Sequence, residues 1–179
     1  MQALCDIRDA AVKISVASCG EAFACEPRQT LLLAGLAAGL DLPYECASGS
    51  CGSCRCRLVE GEVESLWPEA PGLSERDRRR GNMVLMCQSV PLTDAVIDVR
   101  VRGALSVPAP LSCKAEIASI RTLCANMVEL TLLPQANMPF LAGQFVIVKT
   151  NDGVRRAYSM SNVDPDGGLV RAAVRARVL

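Results

Sequence analysis

Apolar residues recur along this chain at two periods. Residues 11–17 alternate, with Val12, Ile14 and Val16 on one face, and predict a strand; residues 22–25 follow as its hairpin partner. Residues 30–40 are dense in Leu and Ala and predict a buried helix with Thr30 near its start. Gly35 and Gly39 stand four apart in it, which fits close packing of the helix on a sheet. From 41 to 54 the periodicity lapses into a loop of Pro43, Ala47, Ser48, Gly49, Ser50, Gly52 and Ser53. Residues 55–60 predict a strand turning at Gly61, and Ser74 with Asp77 a capping box opening a short helix, whose Arg78, Arg79 and Arg80 read as a solvated face. Residues 83–88 predict a strand with Cys87 inside it, and 95–101 a last strand. Residues 103–110 hold Pro108 and Pro110 and read as a linker. Beyond it the pattern is all-β, with strands expected at 113–120, 127–133, 143–149, 156–161 and 169–178, and turns at Pro134, Pro139, 151–153 and 164–168.

The 179 residues suffice for one ordinary domain or two small ones. Acids and bases balance at 19 each, so no basic stripe marks the chain for nucleic acid and no polybasic patch for a membrane. The balance is uneven along the chain: 14 acids against 11 bases in 1–102, leaving 5 against 8 in 103–179. That asymmetry points to two modules, 1–102 and 111–179. There is no histidine, which excludes a Rieske centre, a two-His-one-carboxylate iron site and His-based triads. The start of the chain lacks an apolar signal core, and the longest apolar run, 31–40, is too short to span a bilayer. The ten cysteines are therefore expected to be ligands or small core residues in a soluble, reduced, cytoplasmic protein.

Four of them carry a pattern: Cys46, Cys51, Cys54 and, after 32 intervening residues, Cys87. This is the plant-type [2Fe–2S] spacing. Such a cluster needs two thiolates per iron. Three come from one loop and the fourth from a distant segment. The cluster is anionic, so the loop must aim backbone N–H groups inward, and small residues permit that approach. The alternative is a four-cysteine zinc site. Zinc sites pair two C-x-x-C knuckles; here Cys51 and Cys54 form one and Cys87 stands alone. Cys56 is expected to be a core thiol, and Cys5, Cys19, Cys25, Cys113 and Cys124 show no ligand spacing.

The run from Leu42 to Cys54, L-P-Y-E-C-A-S-G-S-C-G-S-C, resembles the cluster loop of plant-type ferredoxin domains, and Met86-Cys87-Gln88 with Pro91 and Asp94 resembles their fourth-ligand strand. The likeness covers about residues 11–102. It implies a β-grasp fold, a small mixed sheet with the 30–40 helix across it, and an electron-transfer role. Gly143-Gln144-Phe145-Val146 and Arg156-Ala157-Tyr158-Ser159 resemble the flavin-binding barrel of the ferredoxin–NADP reductase superfamily. That likeness implies that Arg156 forks onto a flavin phosphate, Tyr158 lies on the isoalloxazine and Ser159 bonds near its reactive nitrogen. The expected class is thus α+β, a β-grasp ferredoxin fold followed by an incomplete antiparallel β-barrel of flavin-reductase type.

The order of modules resembles the NADH-dependent reductase components of bacterial multicomponent oxygenases. It implies a [2Fe–2S] cluster and FAD as cofactors and an oxygenase or another electron acceptor as partner. In that family a nicotinamide domain follows; this chain stops at Leu179 with no G-x-G-x-x-G. The expectation is a fragment of a longer reductase or a truncated product, holding flavin weakly and reaching NADH only through the missing part. A stand-alone ferredoxin with a docking or vestigial tail, and a structural zinc protein, are the rival readings.

Overall fold

A computed structural model describes residues 10–104, 110–150, 155–162 and 168–175. The chain divides into two compact units, Met1–Pro110 and Leu111–Leu179.

The first unit is built on a five-stranded mixed sheet. Strands β1 (Val12–Val16) and β2 (Ala22–Cys25) form the expected hairpin. Helix α1 (Leu31–Ala37) follows, then β3 (Arg55–Glu60), β4 (Val63–Ser65), helix α2 (Glu75–Arg80), β5 (Met83–Leu85), β6 (Ser89–Pro91) and β7 (Ala95–Asp98). The sheet order is β2-β1-β7-β3-β5, and β1 runs parallel to β7 while the other pairs are antiparallel. The two central strands carry Ile14, Val16 and Ile97, all fully buried. Helix α1 supplies Leu31, Leu32 and Leu36 to the same core. Thr30 caps it by accepting from the Leu33 N–H. Gly35 is where the helix meets the loop below: a Cβ there would run into Leu42 Cδ1. The packing reading of Gly35 therefore holds, whereas Gly39, with open space around it and φ +83°, serves the turn.

Three expectations need correction here. Helix α1 ends at Ala37, because the chain turns through Gly39 in the left-handed region, not at residue 40. The segment 83–88 is a strand only to Leu85; Met86–Gln88 is a 3-10 turn, so Cys87 lies in a turn between β5 and β6, where the backbone rotates out of the sheet. Arg78 does not belong to a solvated face, since it reaches back to the Ala70 carbonyl at 3.0 Å. The short pair β4–β6 carried too few residues to show an alternation. The α2 capping box is present as expected, with Ser74 accepting from the Asp77 N–H.

The second unit consists of β8 (Ala115–Cys124), β9 (Met127–Pro134), β10 (Phe145–Lys149), β11 (Arg155–Ser159) and β12 (Val170–Arg175). They form a three-stranded sheet, β12-β9-β8, and a two-stranded one, β10-β11, joined by a bridge between Met160 and Ala172. A small core gathers Leu132, Phe140 and Val170, with Val146, Val148 and Met160 against it. The first of these strands starts two residues later than expected and runs four further. It pairs along its length with β9 through two register shifts, and its exposed Ile117 and Ile120 hide its period. The linker residues 105–109, the turn at 151–153, most of the turn at 164–168, the end of the last expected strand and Cys5 lie outside the described residues. Among the described residues no helix is long and apolar enough to cross a membrane.

Candidate metal and flavin sites

Residues 41–54 run from the end of α1 to the start of β3 as a loop with no helix or strand of its own. Its curvature comes from Ala47 (φ 47°), Gly49 (φ 91°) and Gly52 (φ 79°), all in the left-handed region. Positive φ at these positions turns successive N–H groups to one side. The Ser48 and Cys51 N–H groups each lie 3.4 Å from Cys46 Sγ, and that of Ser53 lies 3.4 Å from Cys51 Sγ. This is the inward nest that an anionic sulfur cluster requires. Cys46 is half-buried, Cys51 exposed, and Cys54 and Cys87 buried. The loop thus has a wet side and a dry side.

The 3-10 turn at Met86–Gln88 brings Cys87 Sγ to 3.3 Å from Cys54 Sγ, although they stand 33 positions apart in the chain. Gln88 adds its side-chain N–H at 3.8 Å from Cys87 Sγ. Burial works to raise the Cys46 thiol, but the hydrogen bonds from Ser48 and Cys51 outweigh it and bring it down to about 6. The hydrogen bond with Cys87 lowers Cys54 to about 7, and the same contact, with burial, drives Cys87 upward. Cys56, on β3 opposite Val84, is buried and is pushed up to about 12, first by burial and then by the neighbouring Cys54 and Asp98. Its burial is that of a core thiol. Among the described residues no three His, Cys, Asp or Glu side chains converge on the position of a single metal ion.

Two residues at this site carried no sequence signal. Gly49 is enclosed by the Gln88 side chain and the Trp67 ring, which its Cβ would approach to 3.0 and 3.1 Å. Trp67 sits in a segment without periodicity, and Gln88 was visible only as a neighbour of Cys87.

Residues 14–92 match the family described as the 2Fe-2S iron-sulfur cluster binding domain. The first unit belongs to that family. This decides for two irons over zinc. The iron–sulfur domain is also joined to the second unit in a recognisable way. The chain is 48% identical over 159 residues to the ferredoxin–NAD(+) reductase component of the alkene monooxygenase system of Xanthobacter autotrophicus, an alignment taking in 89% of this chain and 49% of that protein. It superposes on a ferredoxin reductase in carbazole 1,9a-dioxygenase with a TM-score of 0.87 and 36% identity, covering 94% of this chain and 52% of that one. For the FAD apo form of that reductase the TM-score is 0.84 and the identity 38%, covering 93% and 55%. The chain spans about half the length of the curated relatives it matches. Both the ferredoxin-type first unit and the open, reductase-type second unit agree with the expected fold class.

In the second unit, the three residues expected at flavin lie on β11. The β10–β11 register sets Arg156 opposite Val148, Tyr158 opposite Val146 and Ser159 opposite Phe145. Strand alternation therefore puts Arg156 and Tyr158 on one face and Ser159 on the other. Arg156 is exposed and Tyr158 half-buried. A cation and an aromatic ring two residues apart on one face fit a ligand with an anionic end and a flat end. The fit to a flavin rests on this pair, with Ser159 at the strand end.

Proposed function

We propose that this chain is the electron-transferring part of an NAD(P)H-dependent oxygenase reductase, with a [2Fe–2S] cluster on Cys46, Cys51, Cys54 and Cys87 and FAD at Arg156, Tyr158 and Ser159. The observation that carries the proposal is the Cys46–Cys54 loop, with three N–H groups aimed at cysteine sulfurs, in a chain similar to ferredoxin reductases over most of its length. When bound, the flavin supplies two-electron and the cluster one-electron chemistry. The residues do the rest. The N–H groups of Ser48, Cys51 and Ser53 offset negative charge on the thiolates. Buried Cys54 and Cys87 keep one side of the site dry, while exposed Cys51 leaves the other open to a partner. Arg156 would hold a phosphate and Tyr158 would lie along the ring system. The partner is an oxygenase, the hydride donor acts through a nicotinamide-binding part not among these residues, and the compartment is the reduced cytoplasm. The modules are 1–102 and 111–179. The likeness to reductases extends through the second unit and favours this reading over a stand-alone ferredoxin.

Analysis of anaerobically purified protein should give two irons and two acid-labile sulfides per chain, with a reduction potential on the order of −400 mV. Added FAD should be retained better by the wild type than by Arg156→Met or Tyr158→Ala. Tetrahedral zinc without sulfide would refute the cluster, and equal FAD retention by all three proteins would refute the flavin site.

A further inference from the structure

The cluster loop is shaped from outside by a segment that contributes no ligand. Gly72 lies between β4 and α2. Its N–H donates to the Gly49 carbonyl at 2.9 Å. A Cβ at Gly72 would stand 2.6 Å from that same oxygen, 2.8 Å from the Gly52 nitrogen and 3.1 Å from the Gly52 Cα. All three atoms are backbone of the cluster loop, so none can swing aside as a side chain would. The approach is mutual, since a Cβ at Gly52 would meet the Gly72 carbonyl at 2.7 Å. Gly72's own φ is outside the left-handed region, unlike those of Gly49 and Gly52. Backbone conformation does not demand glycine at 72; the closeness of the loop does.

The segment bearing Gly72 is itself tied down. The Ala70 N–H donates to the Trp67 carbonyl and that of Leu73 to the Ala70 carbonyl, both at 3.1 Å. Arg78 Nη1 donates to the Ala70 carbonyl at 3.0 Å, and Ala70 is fully buried. Arg55, the residue after Cys54, pairs with Asp77 of α2 at 3.0 Å. The start of α2 is thus clamped to the same strand that carries the third ligand onward.

The peptide held by Gly72 is not a bystander. Gly49 gives its carbonyl to Gly72 and directs its N–H toward the Cys87 thiol. On either side, Ser48 and Cys51 aim their N–H groups at Cys46. Hydrogen bonds to cluster sulfurs are one of the determinants of reduction potential, because they stabilise the more negative reduced state.

We propose that Gly72 is a positioning residue for the cluster: its backbone is the brace against which residues 49–52 close, and it thereby fixes the N–H···S hydrogen bonds that set the reduction potential. This rests on the cluster assignment above.

The test uses the full chain. Gly72→Ala should keep two irons and two sulfides but move the potential to more negative values, outside repeat error, and alter the EPR g-values of the reduced cluster. Gly20→Ala is the control, because Gly20 has φ +74° with nothing within 4 Å and lies in the β1–β2 turn; it should lower stability without moving either signal. Arg78→Gln releases the Ala70 carbonyl without crowding the loop and should give a smaller shift of the same sign. If Gly72→Ala fails to assemble a cluster, Arg78→Gln decides: a negative shift supports the brace, and an unchanged potential and EPR spectrum overturn it. A loaded Gly72→Ala protein with wild-type potential and g-values overturns it outright. A wild type lacking iron and sulfide overturns both this and the cluster assignment, so the two failures are told apart.

Discussion

Cys56 provides the sharpest test of which sulfurs are ligands. It follows Cys54 by two residues, and any shift of the ligand set by one strand repeat would recruit it. The structure buries it to 2% exposure, and that burial, with Cys54 and Asp98 nearby, pushes its thiol up to about 12. Replacing Cys56 by Ser keeps the size and exchanges a weak hydrogen-bonding group for a strong one. A buried hydroxyl at this position calls for a hydrogen-bond partner that the weaker thiol does not demand. Burying a hydroxyl without a partner costs about 1–3 kcal/mol. For a domain of this size about 2 kcal/mol corresponds to a drop in Tm of roughly 8–16 °C. Cys56→Ala removes the sulfur and adds no polar group, and should cost less. Cys87→Ser removes a ligand, and the protein should lose or fail to hold its cluster. Thermal melts followed by circular dichroism, with iron, sulfide and visible spectra on the same samples, separate these outcomes. A Cys56→Ser protein that melts like the wild type but has lost its iron would refute the reasoning, because Cys56 would then be a ligand and not a core residue.

Other consequences are simpler to measure. Ser74→Ala removes the α2 cap and should cost about 1 kcal/mol, seen as faster amide exchange across Glu75–Arg80. Ile97→Ala empties a fully buried position between β1 and β3 and should lower stability to denaturant by about 2–5 kcal/mol. Cys25 is buried and raised to about 11, chiefly by burial and secondly by Glu26, whereas Cys19 is exposed. Mass spectrometry after alkylation at pH 8 should find Cys19 modified and Cys25 untouched. Because its folded value lies above the usual 9.0, Cys25 leaves stability unaffected below pH 9 and subtracts from it as pH rises from 9 to 11. A melt that improves over that interval would contradict the assignment.

What could be read in the sequence was whatever leaves a local mark. Alternation exposed β1, β3 and β7, and a Ser three residues before an Asp exposed the start of α2. The ligand spacing of Cys46, Cys51 and Cys54 is local too, since one loop carries all three. The turn at Met86–Gln88 was read as strand because Met83, Val84, Leu85 and Met86 form one apolar run, and nothing in it marks where the backbone leaves the sheet. Arg78 looked like part of a solvated face because its partner, the Ala70 carbonyl, is a backbone atom with no side-chain signature. Gly72 drew no reading from the sequence; its approach to Gly49 and Gly52 is long-range and visible only in three dimensions. Arg156, Tyr158 and Ser159, proposed for flavin, stand out by motif, but that Ser159 faces away from the other two follows from the β10–β11 register.

The parallel pairing of β1 with β7 has a consequence for the order of events during synthesis. These strands lie at the two ends of the first unit, and Ile14 pairs with Ala95. The sheet centre therefore cannot close until Ala95–Asp98 has emerged from the ribosome. Cys46, Cys51, Cys54 and Cys87 emerge ahead of that strand. Each newly made molecule thus passes through an interval in which all four proposed ligands are out and the strand that completes the core is not. A released chain ending at Asp94 should accept iron and sulfide faster than the finished, folded apoprotein, in which Cys54 and Cys87 are already enclosed.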